Sequence, residues 1–309
     1  MKENILYAYH LNVSDIKDYK DYSVFQYNGK DYFFTLVKRP LKDFEVLLKV
    51  MQELLNRKET IFPFIQNVYG SFLTMIQDKN YVLVEGTDIN KEYDLFAIIN
   101  WQQKYVLNEK LSSSSYKNEW SSLWSQKVDY LEYQIHELGK NYPTLLNSFS
   151  YYVGLAENAI SYANSMGRRY PNHKESFVLA HKRIGYPNLR LNFANPLNFV
   201  IDIKERDIAE YIKALFFHSP KDALIDLKAY IEIVKPDAYQ MGMLFARLLY
   251  PTYYFDLHEQ VIENNQDVHC IFKVVDKANS YENFLKEAYQ LMSSYVFIEP
   301  VDWLIKKES

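Results

Sequence analysis

The chain reads as an α+β protein, a small antiparallel sheet carrying one large helix followed by a mostly helical remainder. Three observations predict this. An Asn28-Gly29 pair joins two alternating runs, residues 41 to 57 form a strongly amphipathic stretch, and after Gly86 nearly every apolar pattern repeats with helical spacing.

Residues 1 to 40 read as a short helix and then a hairpin. Ser23 to Tyr27 and Asp31 to Lys38 are its strands, because Asn-Gly tolerates the positive φ that a tight two-residue turn requires. Phe44, Leu47, Leu48, Met51, Leu54 and Leu55 share one face of the next helix. Two further strands, Ser71 to Ile76 and Tyr81 to Glu85, flank a polar turn. Gly86-Thr87-Asp88 then breaks the pattern as a hinge would, which places the domains at 1–87 and 88–309, with the boundary near Gly86 to Lys91. Helices come next over Glu92 to Val106, from about Glu119 to Leu138, and over 148 to 165. Ser112 to Ser115 reads as a flexible connection.

Residues 177 to 217 are the stretch around which the chain is organised. A buried strand ends at His181, and a second one (Phe199, Val200, Ile201) ends on Asp202. A helix then turns Ile208, Ala209, Ile212, Leu215 and Phe216 inward. Further helices are expected near 221–234, 238–249, 253–264 and 281–294, punctuated by Pro236 and Pro251.

With 309 residues, 48% of them hydrophobic and 24% charged, the chain can bury a full core. A net charge of −4, with one tight basic cluster at Arg168, Arg169 and Lys174, gives no footprint for nucleic acid. The single cysteine, Cys270, excludes an internal disulfide framework and fits synthesis in a reducing cytoplasm. No signal-peptide pattern and no 18-residue apolar run occurs, so secretion and membrane insertion are not expected. The 28 tyrosines are read as core packing and composition bias, since many fall at apolar-periodic positions. Zinc-protease spacing, a nucleophile elbow, a Walker loop and a dinucleotide fingerprint are all missing.

The segment HKRIGYPN (181 to 188), together with Asp202 and Asp207-Ile208-Ala209 downstream, is similar to the catalytic region of the aminoglycoside-phosphotransferase-like kinase fold. That region reads H-G-D-x-x-x-x-N, then a metal aspartate, then D-L-A. Upstream, WSSLWSQKVDYLE (120 to 132) and SFSYYVGLAENAISYA (148 to 163), with RDIAEYIK (206 to 213), resemble the YutH-like spore-coat-associated proteins, which are related to the CotS-type kinase-fold coat group.

The resemblance implies a two-lobed protein-kinase-like fold, made in the mother-cell cytoplasm and assembled into the spore coat beside other coat proteins. It makes Lys38 a candidate phosphate contact, Asp202 and Asn188 candidate Mg ligands and Asp207 a structural hydrogen-bonding residue. A solvated role for Lys38 and a turn-capping role for Asp202 stay open. The catalytic loop carrying His181, Arg183 and Asn188 is degenerate, because Arg183 stands at the base position and a guanidinium accepts no proton. No Gly-rich loop precedes the Lys38 strand. The expected function is therefore a catalytically inactive coat component with no cofactor. The alternative is an ATP- and Mg-dependent phosphotransferase acting on a small molecule or a coat protein.

Overall fold

The computed structural model describes residues 1–19, 22–106, 120–264 and 267–305. The serine run at 112 to 115 lies outside them. The first elements in chain order are α1 (Lys2–Tyr9), β1 (Ile16–Asp18), β2 (Tyr22–Tyr27), β3 (Lys30–Leu36), α2 (Leu41–Asn56), β4 (Phe64–Ile65), β5 (Thr74–Ile76) and β6 (Lys79–Gly86). Next come α3 (Leu95–Lys104), α4 (Trp120–Leu138), α5 (Pro143–Arg169), β7 (Phe177–His181), α6 (Arg190–Phe193), β8 (Phe199–Ile203) and α7 (Glu205–His218). The last are α8 (Pro220–Val234), α9 (Ala238–Leu249), α10 (Thr252–Asn264), α11 (His269–Val275), α12 (Ala278–Ser293) and α13 (Asp302–Ile305). The chain divides into two compact units, one made of residues 1–94 with 181–200, the other of 95–180 with 201–309.

The first unit is built on an antiparallel sheet of order β1-β2-β3-β6-β4, with β5 also paired to β6. The β2–β3 hairpin turns at Asn28 and Gly29, both at positive φ, as the sequence predicts. A second two-residue turn does the same with Gln77 and Asp78, where no glycine announces it. Alternation along the strands sends Phe25, Phe34 and Leu83 to one face, where Ile5 and Ala8 of α1 join them. Phe33 pairs with Val84 on the opposite face, and Phe64, also opposite Val84, stacks on Phe44 of α2 at 5.6 Å. Both faces are thereby covered by helices.

Residues 181–200 join this unit through specific contacts. Arg39 Nη2 donates to the carbonyls of Leu197 (2.8 Å) and Phe199 (3.1 Å). Phe62 N–H donates to Ala194 O at 2.9 Å, and Tyr93 N–H to Asn188 O at 2.8 Å. Buried Arg190 spans Asp88 and Thr60 O, both at 3.3 Å, with its guanidinium over the Phe62 ring.

The second unit is a helical assembly in which α9 packs against α5 and α7, α5 against α4, and α7 against α8. Tyr152, Tyr230, Tyr254 and Tyr281 are among its largest fully buried side chains, which is the packing role expected of tyrosine here. A buried polar knot ties α7 to α9 and α10. Lys213 Nζ donates to Glu210 (2.9 Å), Thr252 Oγ1 (2.8 Å) and the carbonyls of Arg247 and Tyr250 (3.1 Å each), while Arg247 Nε donates to Glu210 at 2.9 Å. Strands β7 and β8 form a two-stranded sheet.

Helix α5 is longer than its apolar pattern suggests. It starts at Pro143, whose missing N–H costs nothing in a first turn, and runs on to Arg169. Strands β1 and β4, of three and two residues, are too short to carry a readable alternation.

Candidate functional site

In the first unit, the loop after β7 is held from within. His181 is fully buried, its Nε2 lies 3.0 Å from Phe193 O, and its ring stacks on Phe193 at 4.6 Å. Asn198 braces the loop: its Nδ2 donates to Arg183 O (2.9 Å) and Asn192 O (3.1 Å), and its Oδ1 accepts from Arg183 N–H at 3.3 Å. Arg183 is exposed, and its Nη1 donates to Lys182 O at 2.8 Å. Asn188 is 3% exposed, and neither its Oδ1 nor its Nδ2 has a hydrogen-bond partner. Lys38 is exposed and lies two residues past the end of β3.

In the second unit, Asp202 is fully buried at the end of β8. Its Oδ1 accepts from Ile203 N–H (2.8 Å) and Trp120 Nε1 (3.1 Å), and its Oδ2 from Arg206 Nη1 (2.6 Å) and Trp120 Nε1 (3.2 Å). Trp120 opens α4, and Arg206 lies in the first turn of α7. Asp207, also in that turn, is fully buried. Its neighbour Glu205 is buried with Oε1 unpartnered, and desolvation pushes its carboxyl up to about 8 despite the nearby Lys204 charge.

Lys38, His181, Arg183 and Asn188 thus belong to one unit, Asp202 and Asp207 to the other. Sequence reasoning missed Trp120, Arg206, Asn198 and Arg39. Arg206 had a readable signal, standing four residues after Asp202 at the start of a helix. Trp120 had none, being 82 residues away.

A divalent cation in this fold would be held by hard oxygen donors. Asn188 fits, since it offers a buried carboxamide oxygen without a partner. Asp202 does not fit: its carboxylate is fully buried and is already taken by three N–H donors, a backbone amide, a guanidinium and an indole shared between its two oxygens. Among the described residues, no group of three or more His, Cys, Asp or Glu is placed to hold a metal ion.

The whole fold matches solved phosphotransferases. An aminoglycoside phosphotransferase from Alicyclobacillus acidocaldarius aligns with a TM-score of 0.64 at 9% identity, covering 95% of this chain and 97% of that one. A spectinomycin phosphotransferase bound to AMP aligns at 0.59 and 14% identity, covering 93% and 96%. An amicoumacin kinase in complex with AMP-PNP and Ca2+ aligns at 0.53 and 10% identity, covering 94% and 92%. The protein therefore has an aminoglycoside phosphotransferase-like kinase fold, as the catalytic-region motifs imply.

Within that class its family is specific. The family model described as "Spore coat putative kinase YutH" matches residues 2–288, and the chain belongs to that family. The endospore coat-associated protein YutH of Bacillus subtilis is 27% identical over 214 residues; the match spans 62% of this chain and 62% of that protein.

Proposed function

We propose that this protein is a spore coat-associated component that keeps the kinase scaffold without phosphoryl transfer and works by binding other coat proteins. The observation that carries the reading is Arg183. It occupies the catalytic-base position, is exposed to water and directs its guanidinium to Lys182 O. A guanidinium is protonated at every useful pH, so the step that takes the proton from a substrate hydroxyl has no acceptor at this position. Family membership and the coat-associated relative support the location. No helix among the described residues is long and apolar enough to cross a membrane, which fits attachment through protein partners.

Fractionation of purified spores tests the location. The chain is expected in the detergent- and reductant-extractable coat fraction, and recovery from the decoated core alone would refute it.

One observation favours a second reading, an ATP- and Mg-dependent phosphotransferase: the unpartnered, buried Asn188 carboxamide. A ligand that binds only the native state raises its apparent stability by mass action. Thermal-shift titration with ATP and Mg2+ therefore separates the readings. A magnesium-dependent rise lost in both Lys38→Ala and Asn188→Ala would favour the phosphotransferase, and no magnesium-dependent rise supports the scaffold.

A further inference from the structure

Asp202 stands at the metal-aspartate position of the motif, yet its surroundings are those of a structural carboxylate. It has no exposed surface, and the nearer of the two donors on its Oδ2 is a cation from its own chain, Arg206, at 2.6 Å and itself only 14% exposed. The other side-chain donor is fixed by packing. The Trp120 ring lies 5.3 Å from Trp124, which stacks on Tyr250 at 4.4 Å. The Arg247 guanidinium sits 4.6 Å from the Trp120 ring centre and is tied by its Nε to Glu210. Moving the indole away from Asp202 would disturb this whole stack. Mg2+ demands near-octahedral oxygen ligands and usually keeps several of its waters, which a carboxylate closed off from solvent and held by three N–H donors cannot accommodate.

We infer that Arg206 is a resident cation in place of a metal at Asp202, so that the chain takes up no divalent cation through this carboxylate. Asp202 instead ties the end of β8 to α7 and α4. The inference goes beyond the coat reading and does not depend on it. ATP turnover would overturn that reading alone, whereas metal uptake at Asp202 would overturn this one alone.

The test uses Mn2+ as a paramagnetic probe on the full chain labelled with 15N at its indoles. Only four tryptophans are present, and Trp120→Phe identifies the Trp120 line. A Mn2+ ion on Asp202 would lie beside the Trp120 N–H and broaden its resonance away. The expected result at one equivalent of Mn2+ is a Trp120 line no weaker than those of Trp101 and Trp303. Selective disappearance of the Trp120 line would overturn the inference. Melting of Arg206→Met provides a second arm. Removing one partner of a buried pair should lower Tm by roughly 5–10 °C, and an unchanged Tm would show that the pair holds nothing together.

Discussion

His258 sets an acid limit on the stability of the second unit. It lies in α10 with no exposed surface and no partner for either ring nitrogen, its ring 5.6 Å from Phe149 and 6.4 Å from Tyr254. Burial, with a smaller contribution from the Lys127 charge, pulls its pKa from 6.5 down to about 4. Between those values the unfolded chain binds a proton that the native chain refuses. Stability therefore falls as pH drops below about 6.5 and levels off below about 4. At about 1.4 kcal/mol per pH unit, this single group removes about 2 kcal/mol between pH 7.5 and pH 5, and about 3 kcal/mol in full.

Replacing His258 with Phe removes the titration and leaves an aromatic ring among aromatic neighbours. Urea unfolding followed by tryptophan fluorescence is the assay, because Trp101, Trp120, Trp124 and Trp303 all lie in the same unit as His258. The variant should gain about 2 kcal/mol over the wild type at pH 5 relative to their difference at pH 7.5, other titrations cancelling in the comparison. An equal difference at the two pH values would show that His258 does not set the acid limit.

Glu205 predicts the opposite slope. Its native carboxyl keeps its proton up to about 8, so stability is lost as pH rises from 4.5 through 8, and Glu205→Gln should gain most at pH 8.5, on the order of 5 kcal/mol, and little at pH 4.5. Parallel melting curves at both pH values would contradict this. Lys213→Met leaves Glu210 buried without its ammonium partner and should cost about 3–5 kcal/mol in urea unfolding, against a cost near zero if the knot is dispensable. In Gly242→Ala the new Cβ would meet Met166 Sδ at 2.2 Å where α9 crosses α5, and the expected loss is about 1–3 kcal/mol by thermal melting, with an unchanged Tm as the refuting result.

The parts of the fold legible in sequence are those whose cause is local. Asn28-Gly29 fixes a turn by backbone sterics alone, and the apolar stripe of α2 is complete within sixteen residues. Helix α9 begins where Asp237 and Gln240 form a reciprocal cap, a signal four residues wide. The Gln77-Asp78 turn is legible as a polar break between two strands, while its two positive φ values are not, since no glycine marks them.

The candidate site divides in the same way. Arg183 and Asn188 could be placed by counting from His181, because a loop motif is a local spacing. The state of Asp202 could not, because Trp120 reaches it from a different helix, and Arg206 acquires its meaning only once α7 starts at Glu205. Asn198, which braces the loop at 183, acts across fifteen residues through a turn that no motif describes.

A kinase scaffold without transfer is tested by ATP consumption of the purified full chain with excess Mg2+, run with solubilised coat proteins as acceptors and beside Asn188→Ala. Consumption by the wild type should equal that of the variant and of a protein-free blank. Turnover by the wild type that Asn188→Ala abolishes would mean that the chain is a working phosphotransferase.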